Sequence, residues 1–129
     1  MQVILDASAV LAYLLREPGE DQVAAAIGLG AGLGTGNLAE VMTRLVRDGV
    51  SVGTAHGVLD ELPVELVDLE ADLALRAGAL VLATRKLGLS LGDRLCLALA
   101  IRENLPALTA DPTWAEIAPR IGATVRLIR

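Results

Sequence analysis

Residues 90–114 read SLGDRLCLALAIRENLPALTADPTW, and this stretch decides the kind of fold the chain can adopt. From Ser90 to Asn104 it is apolar nearly all round, which predicts a helix buried centrally rather than one lying on the surface. Ala107–Thr109 then reads as a short buried strand, and Pro112–Pro119 as a short helix. One acid, Asp93, stands in the first turn of the long helix, and a second, Asp111, follows the strand. Carboxylates that bracket a helix and a buried strand are either helix caps or metal ligands, and the function turns on which.

Working outward, the same alternation continues. Residues 2–5 predict a strand ending at Asp6, and 7–16 a helix that Glu17-Pro18-Gly19-Glu20 breaks. A second helix is expected over 21–29. The glycine-rich segment 28–36 predicts at most a brief strand near 33–35. Residues 37–48 are amphipathic, with Leu38, Val41, Met42 and Leu45 on one face, and Gly49 stops that helix. A weaker helix is expected over 51–61, a strand with one solvated side over 63–69, a long helix over 70–86 and a last strand over 124–128. Strands that alternate with helices imply parallel pairing through right-handed crossovers. No linker, repeat or charge block divides residues 1–129, so one domain is expected.

Bulk properties agree. A hydrophobic content of 53% with no Phe places the excess in Ala, Leu and Val, as in sheets covered on both faces. No apolar run reaches the roughly 18 residues that a membrane helix needs. MQVILDAS carries no basic region or cleavage site of a secretory signal, and the single cysteine, Cys96, excludes an internal disulfide. A cytoplasmic protein is the expectation. The net charge of −5 argues against a general nucleic-acid coat, though acids gathered on divalent metals would inflate that count.

Four acids sit at a strand end or early in the following helix, and each has a plain structural reading. Asp6 is placed to cap the first helix. Asn37-Leu38-Ala39-Glu40 and Ser90-Leu91-Gly92-Asp93 have capping-box spacing. Asp111 precedes a proline, a favoured helix start. In an open parallel sheet, however, ligands bind beyond the carboxyl ends of the strands, where strand order reverses. With the first strand central, Asp6, Glu40 and Asp111 converge there, and Asp93 starts the helix that feeds the neighbouring strand. Capping does not require this convergence. Clustered carboxylates repel, and a hard divalent cation such as Mg²⁺ or Mn²⁺ removes that penalty.

VILDASAVLAYL at the start, NLAEV in the middle, LSLGDRLCLALA and the closing LTADPTW together resemble the PIN-domain family, in particular the VapC-type toxin ribonucleases of toxin–antitoxin pairs. The resemblance runs from residue 3 to residue 114. It implies a three-layer α/β/α sandwich with a mostly parallel central sheet of order 3-2-1-4-5. It also implies that Asp6, Glu40, Asp93 and Asp111 form a catalytic, metal-holding quartet supported by Ser8 and Thr109. The implied activity is hydrolysis of RNA phosphodiester bonds by one or two Mg²⁺ or Mn²⁺ ions, leaving a 5′-phosphate and a 3′-hydroxyl. An RNA substrate, a small cognate antitoxin and a homodimer are the partners it implies. Arg85, Lys86 and Arg94 flank Asp93 in sequence and are candidate contacts for RNA phosphates; their structural reading is a cationic helix end. Arg44 and Arg47 read as solvated or partner-facing.

Other signals carry less. Gly34-Thr35-Gly36-Asn37-Leu38-Ala39 matches a relaxed dinucleotide pattern, but it follows a poor strand that is not the chain's first. His56 reads as a surface residue and Cys96 as core filler. Tyr13 and Trp114 are too few for a base-stacking platform, and Trp114 is expected to pack the helix after Asp111. A non-catalytic module of the same fold, acting only through a protein partner, is the alternative function. A phosphatase or phospho-acceptor site is weaker still, because Ser8 stands where such sites usually carry a second acid.

Overall fold

The computed structural model describes residues 1–129. Five strands, β1 (Val3–Leu5), β2 (Ala31–Gly34), β3 (Glu65–Val67), β4 (Ala107–Thr109) and β5 (Val125–Leu127), form one sheet in the order 3-2-1-4-5. All four pairings are parallel. The helices are α1 (Ala7–Leu15), α2 (Glu20–Leu29), α3 (Thr35–Arg47), α4 (Val52–Asp60), α5 (Ala71–Ala79), α6 (Val81–Thr84), α7 (Leu91–Glu103) and α8 (Thr113–Ile121). No helix is long and apolar enough to cross a membrane.

The pleat of β1 explains the three layers. Val3 and Leu5 join α1, α2, α3 and α4 in one core cluster, while Ile4 joins α5, α7 and α8 in the other. Alternate side chains of one strand thus enter opposite layers, and an all-apolar VIL follows from burial on both faces. The order of the sheet has a consequence for function. From β1 the chain steps to β2 and β3 on one side, then crosses over to β4 and β5 on the other. The reversal lies between β1 and β4, the neighbours whose carboxyl ends carry Asp6 and Thr109.

Four elements differ from the sequence expectation. Strand β2 is AGLG and begins two residues earlier than the segment predicted for it. Its Leu33 points into the α1 layer, while a side chain at Gly34 would press within 3.4 Å of Leu99 on α7. Glycine on that face lets α7 lie close against the sheet, at the expense of the β-propensity by which strands are recognised. Helix α3 starts at Thr35, straight from β2, so Asn37 is not its cap. The long helix expected over 70–86 is instead α5, α6 and a 3₁₀ turn at Arg85–Leu87, and the α8 helix runs on past Pro119 to Ile121.

Helix α7 is central, as its uniform apolarity predicts: Cys96, Leu97, Ala98, Leu99 and Ala100 are buried in succession. Ser90 and Asp93 close a capping box at its start. Trp114 of α8 is fully buried against this layer, and its indole N–H has no hydrogen-bond partner. Its contribution is therefore packing alone. Trp114→Ala is expected to cost roughly 3–5 kcal/mol. Trp114→Phe should cost markedly less, because it removes an unpaired donor along with some volume. Urea unfolding of the two variants checks this.

Candidate active site

Strand β1 delivers Asp6 to the carboxyl edge of the sheet as its last extended residue. Asp6 occupies the cap position of α1, yet its side chain makes no capping hydrogen bond. Its Oδ2 instead accepts the Ser8 hydroxyl at 2.7 Å and the Thr109 hydroxyl at 2.9 Å. Ser8 and Thr109 are held in turn by the chain after β4: the Ala110 N–H donates to Ser8 Oγ at 2.9 Å, and the Asp111 N–H to Thr109 Oγ1 at 3.1 Å. Each hydroxyl has one proton, and both protons point at Asp6. Capping is thus excluded as the role of the Asp6 carboxylate.

Glu40 lies in the second turn of α3, at the edge of the same cleft. Asn37, only 1% exposed, donates through Nδ2 to Glu40 Oε1 at 2.7 Å and to the Gly92 carbonyl at 2.9 Å. The sequence reading made Asn37 a cap; the structure makes it a clamp that joins the starts of α3 and α7 and orients Glu40. Spacing of i and i+3 on a helix is the same for a clamp as for a capping box, so spacing alone did not separate them. Gly92 is the other residue that the sequence left unread. A Cβ there would fall inside the Glu40 carboxylate.

Asp93 reaches the cleft from the first turn of α7. Its Oδ2 accepts the Ser90 N–H at 2.8 Å, and its own N–H donates to Ser90 Oγ at 3.2 Å. Here the capping reading holds, and the same residue lines the cleft with Asp6, Ser8 and Glu40. Asp6 Oδ1, Glu40 Oε2 and Asp93 Oδ1 have no hydrogen-bond donor in the protein. None of the three carboxylates is in a salt bridge. Burial, with Asp93 and Glu40 adding their charge, outweighs the two hydroxyls and pushes the Asp6 carboxyl up to about 6. Burial likewise raises Glu40, against the pull of Asn37. Beneath them Cys96 is fully enclosed, and burial lifts its thiol well above the ordinary range.

A family model of the PIN domain matches residues 3–119. The chain belongs to the PIN domain family. Solved structures of the same fold include VapBC from Salmonella typhimurium bound to DNA, with a TM-score of 0.79, 13% identity and coverage of 100% of this chain and 99% of that one. VapBC2 from Rickettsia felis, bound to a DNA fragment from its promoter, gives 0.76 and 18%, with 98% of each chain covered. Mycobacterium tuberculosis VapC20, a sarcin–ricin loop cleaving toxin, gives 0.75 and 17%, covering 89% of this chain and 94% of that one. At such identities the likeness shows the fold. No curated protein sequence matches significantly.

Within this PIN domain, Asp6, Glu40 and Asp93 line one cleft and Asp111 does not. Asp111 turns to the helix behind it, where its Oδ1 accepts the Thr113 N–H at 2.9 Å and the Thr113 hydroxyl at 2.8 Å. Its tie to the site runs through Thr109. Hard carboxylate oxygens with an unspent acceptor each are the donor chemistry that Mg²⁺ or Mn²⁺ takes. No three acids close into a ligand set as the molecule stands, in keeping with mutual repulsion and with the donor that draws each one aside.

The cations differ from expectation. Arg94 donates to the Ala77 and Gly78 carbonyls at 3.2 and 3.4 Å, binding α7 to the end of α5 and away from the acids. Lys86 lines a separate groove with Glu116 and Arg120, and Arg85 is exposed outside the cleft. The arginines that do line the cleft are Arg44 and Arg129. His56 is exposed beside Asp60, as expected of a surface residue.

Two outcomes follow for the metal-free PIN domain. Asp6 ionises near 3.8 when unfolded and near 6 when folded, so its contribution is present below pH 3.8 and lost as pH rises through about 6. The loss amounts to about 3 kcal/mol, and Glu40 adds a slope of the same sign. In EDTA, Asp6→Asn should flatten the urea midpoint between pH 4 and 6 and raise it at pH 7; an unchanged pH profile contradicts the burial argument. Gly92→Ala would ordinarily gain up to about 1 kcal/mol in a helix. Here it is expected to destabilise, and Glu40→Ala in the same chain should restore the gain.

Proposed function

We propose that this PIN domain is a metal-dependent endoribonuclease, the toxin of a toxin–antitoxin pair. The observation that carries the reading is a cleft in which buried Asp6 meets half-buried Glu40 and Asp93, none of them in a salt bridge, each oriented through one oxygen and keeping the other unspent. Uncompensated burial of this kind costs stability, and a cation-binding role accounts for it. Mg²⁺ or Mn²⁺ is the ion their chemistry fits. Asp111, reached through Thr109, is assigned a supporting place in the quartet. The sarcin–ricin loop cleaving toxin of the same fold supports RNA as the substrate.

Ser8 and Thr109 fix Asp6, Asn37 fixes Glu40, and the capping box fixes Asp93. These contacts hold the trio in place before substrate arrives. The chemistry supplied by the bound metal is activation of a water and stabilisation of the leaving oxygen. No side chain of the cleft is needed as a nucleophile.

The VapBC complexes of the same fold support a small antitoxin as partner. Exposed apolar side chains, among them Leu66, Leu75, Leu82 and Leu91, support that partner and a homodimer. Action in the cytoplasm completes the proposal. The alternative, a module that works only through its partner, draws on the capping duties of Asp93 and Asp111.

An RNA cleavage assay in Mn²⁺ or Mg²⁺ separates the two. Asp6→Asn is expected to lower the rate on the order of 100-fold or more, and Ser8→Ala or Thr109→Val by roughly 10- to 100-fold. Equal cleavage by wild type and Asp6→Asn would remove Asp6 from the chemistry. Absence of both cleavage and calorimetric Mn²⁺ binding would leave the module reading.

A further inference from the structure

The acid cleft does not end at the acids. It adjoins a second segment of groove, and the two share Ala7, Leu11, Glu40 and Arg44. The two segments, of about 340 and about 400 Å³, lie side by side along these shared residues. Arginines are spaced along them. Arg129 lines the segment with Asp6, Ser8 and Asp93; Arg44 lines both segments; Arg47 lines the far one.

Two of these guanidiniums are held while keeping donors to spare. Arg44 Nε donates to Asp48 Oδ2 at 2.7 Å, which leaves both terminal nitrogens without a protein acceptor. Arg129 donates from one terminal nitrogen to the Pro18 carbonyl at 2.8 Å and keeps the other. A tethered planar fork with free N–H groups is preorganised for phosphate oxygens. Small residues at Ala7 and Ala39 leave room for a sugar–phosphate chain to come close. A substrate that brings phosphates to a cleft lined by Asp6, Glu40 and Asp93 needs cations beside it, and these are the ones the cleft supplies.

We propose that Arg44 and Arg129 hold the RNA phosphates on either side of the bond to be cut, with Arg47 extending the groove. This rests on the ribonuclease reading above and deepens it: the cations that position substrate are these, and not Arg85, Lys86 or Arg94, which flank Asp93 only in sequence. Both are positioning residues rather than catalytic ones.

The test uses the full chain carrying Asp6→Asn, with Mg²⁺ and a fluorescein-labelled single-stranded RNA. Anisotropy gives the Kd over a range of KCl. Adding Arg44→Gln or Arg129→Gln should raise the Kd about tenfold each. Each should also lower the slope of log Kd against log salt by about one. Arg126→Gln, on exposed β5, is the control and should do neither. Thermal melts show that each variant is folded. In the chain with Asp6 intact, both substitutions should raise KM for cleavage far more than they lower kcat. Unchanged Kd and salt slope in both variants, with wild-type RNA cleavage intact, would overturn this inference alone, and would point to a protein segment as occupant of the groove. No RNA binding and no cleavage by any form would overturn the ribonuclease reading, and this inference with it.

Discussion

A single buried carboxylate sets the terms for the rest of this molecule. Asp6 directly follows the central strand, is 4% exposed, and is in no salt bridge. A charge in that position is costly unless something answers it. Two hydroxyls answer it in part, one from the start of α1 and one from the end of β4. This couples the two strands that flank the reversal in the sheet. The chain after β4 is placed by the same contacts, because Ala110 and Asp111 donate their N–H groups back to those hydroxyls. Local geometry at the sheet edge is therefore built around one acid.

The packing that brings Glu40 and Asp93 to this acid relies on absent side chains as much as on present ones. Gly34 lets α7 press on β2, and Gly92 leaves the space that Glu40 fills. Asn37 then spends its two amide protons on Glu40 and on the Gly92 carbonyl. A buried amide with both N–H protons engaged in this way holds two helix starts at one relative position. Each of the three acids has its own donor, so each is oriented independently of the other two. Capping and ligand roles are compatible in Asp93, because its two oxygens are free to do different things.

Under the proposed ribonuclease function, an acidic protein would need its positive charge placed locally to meet a polyanion. The net charge of −5 describes the whole surface and says nothing of one groove. Arg44 and Arg129 do line the acid cleft, and a strong dependence on salt is the physical signature expected of the proposed contacts.

Several features were legible in residues alone. The uniform apolarity of residues 90–104 placed α7 in the middle of the molecule, and the VIL of β1 marked a strand covered on both faces. The order of the strands was available through the resemblance of four short segments, and the structure has that order. Asp6, Glu40 and Asp93 were named as acids of the site, and the fold brings them to one cleft. What sequence by itself determined is thus the set of elements and the types of residue at their ends, since periodicity and composition act locally along the chain. Contacts between segments far apart in the chain were decided only by the tertiary structure. The Asn37 clamp on Gly92 spans 55 residues, and the Thr109 hydroxyl on Asp6 spans 103. Adjacency in sequence does not carry over to the cleft for the cations: Arg94 sits next to Asp93, but a helix turns consecutive side chains about 100° apart, so one reaches the cleft while the other reaches α5. Arg129, 36 positions beyond Asp93, arrives beside it because β5 lies next to β4 in the finished sheet.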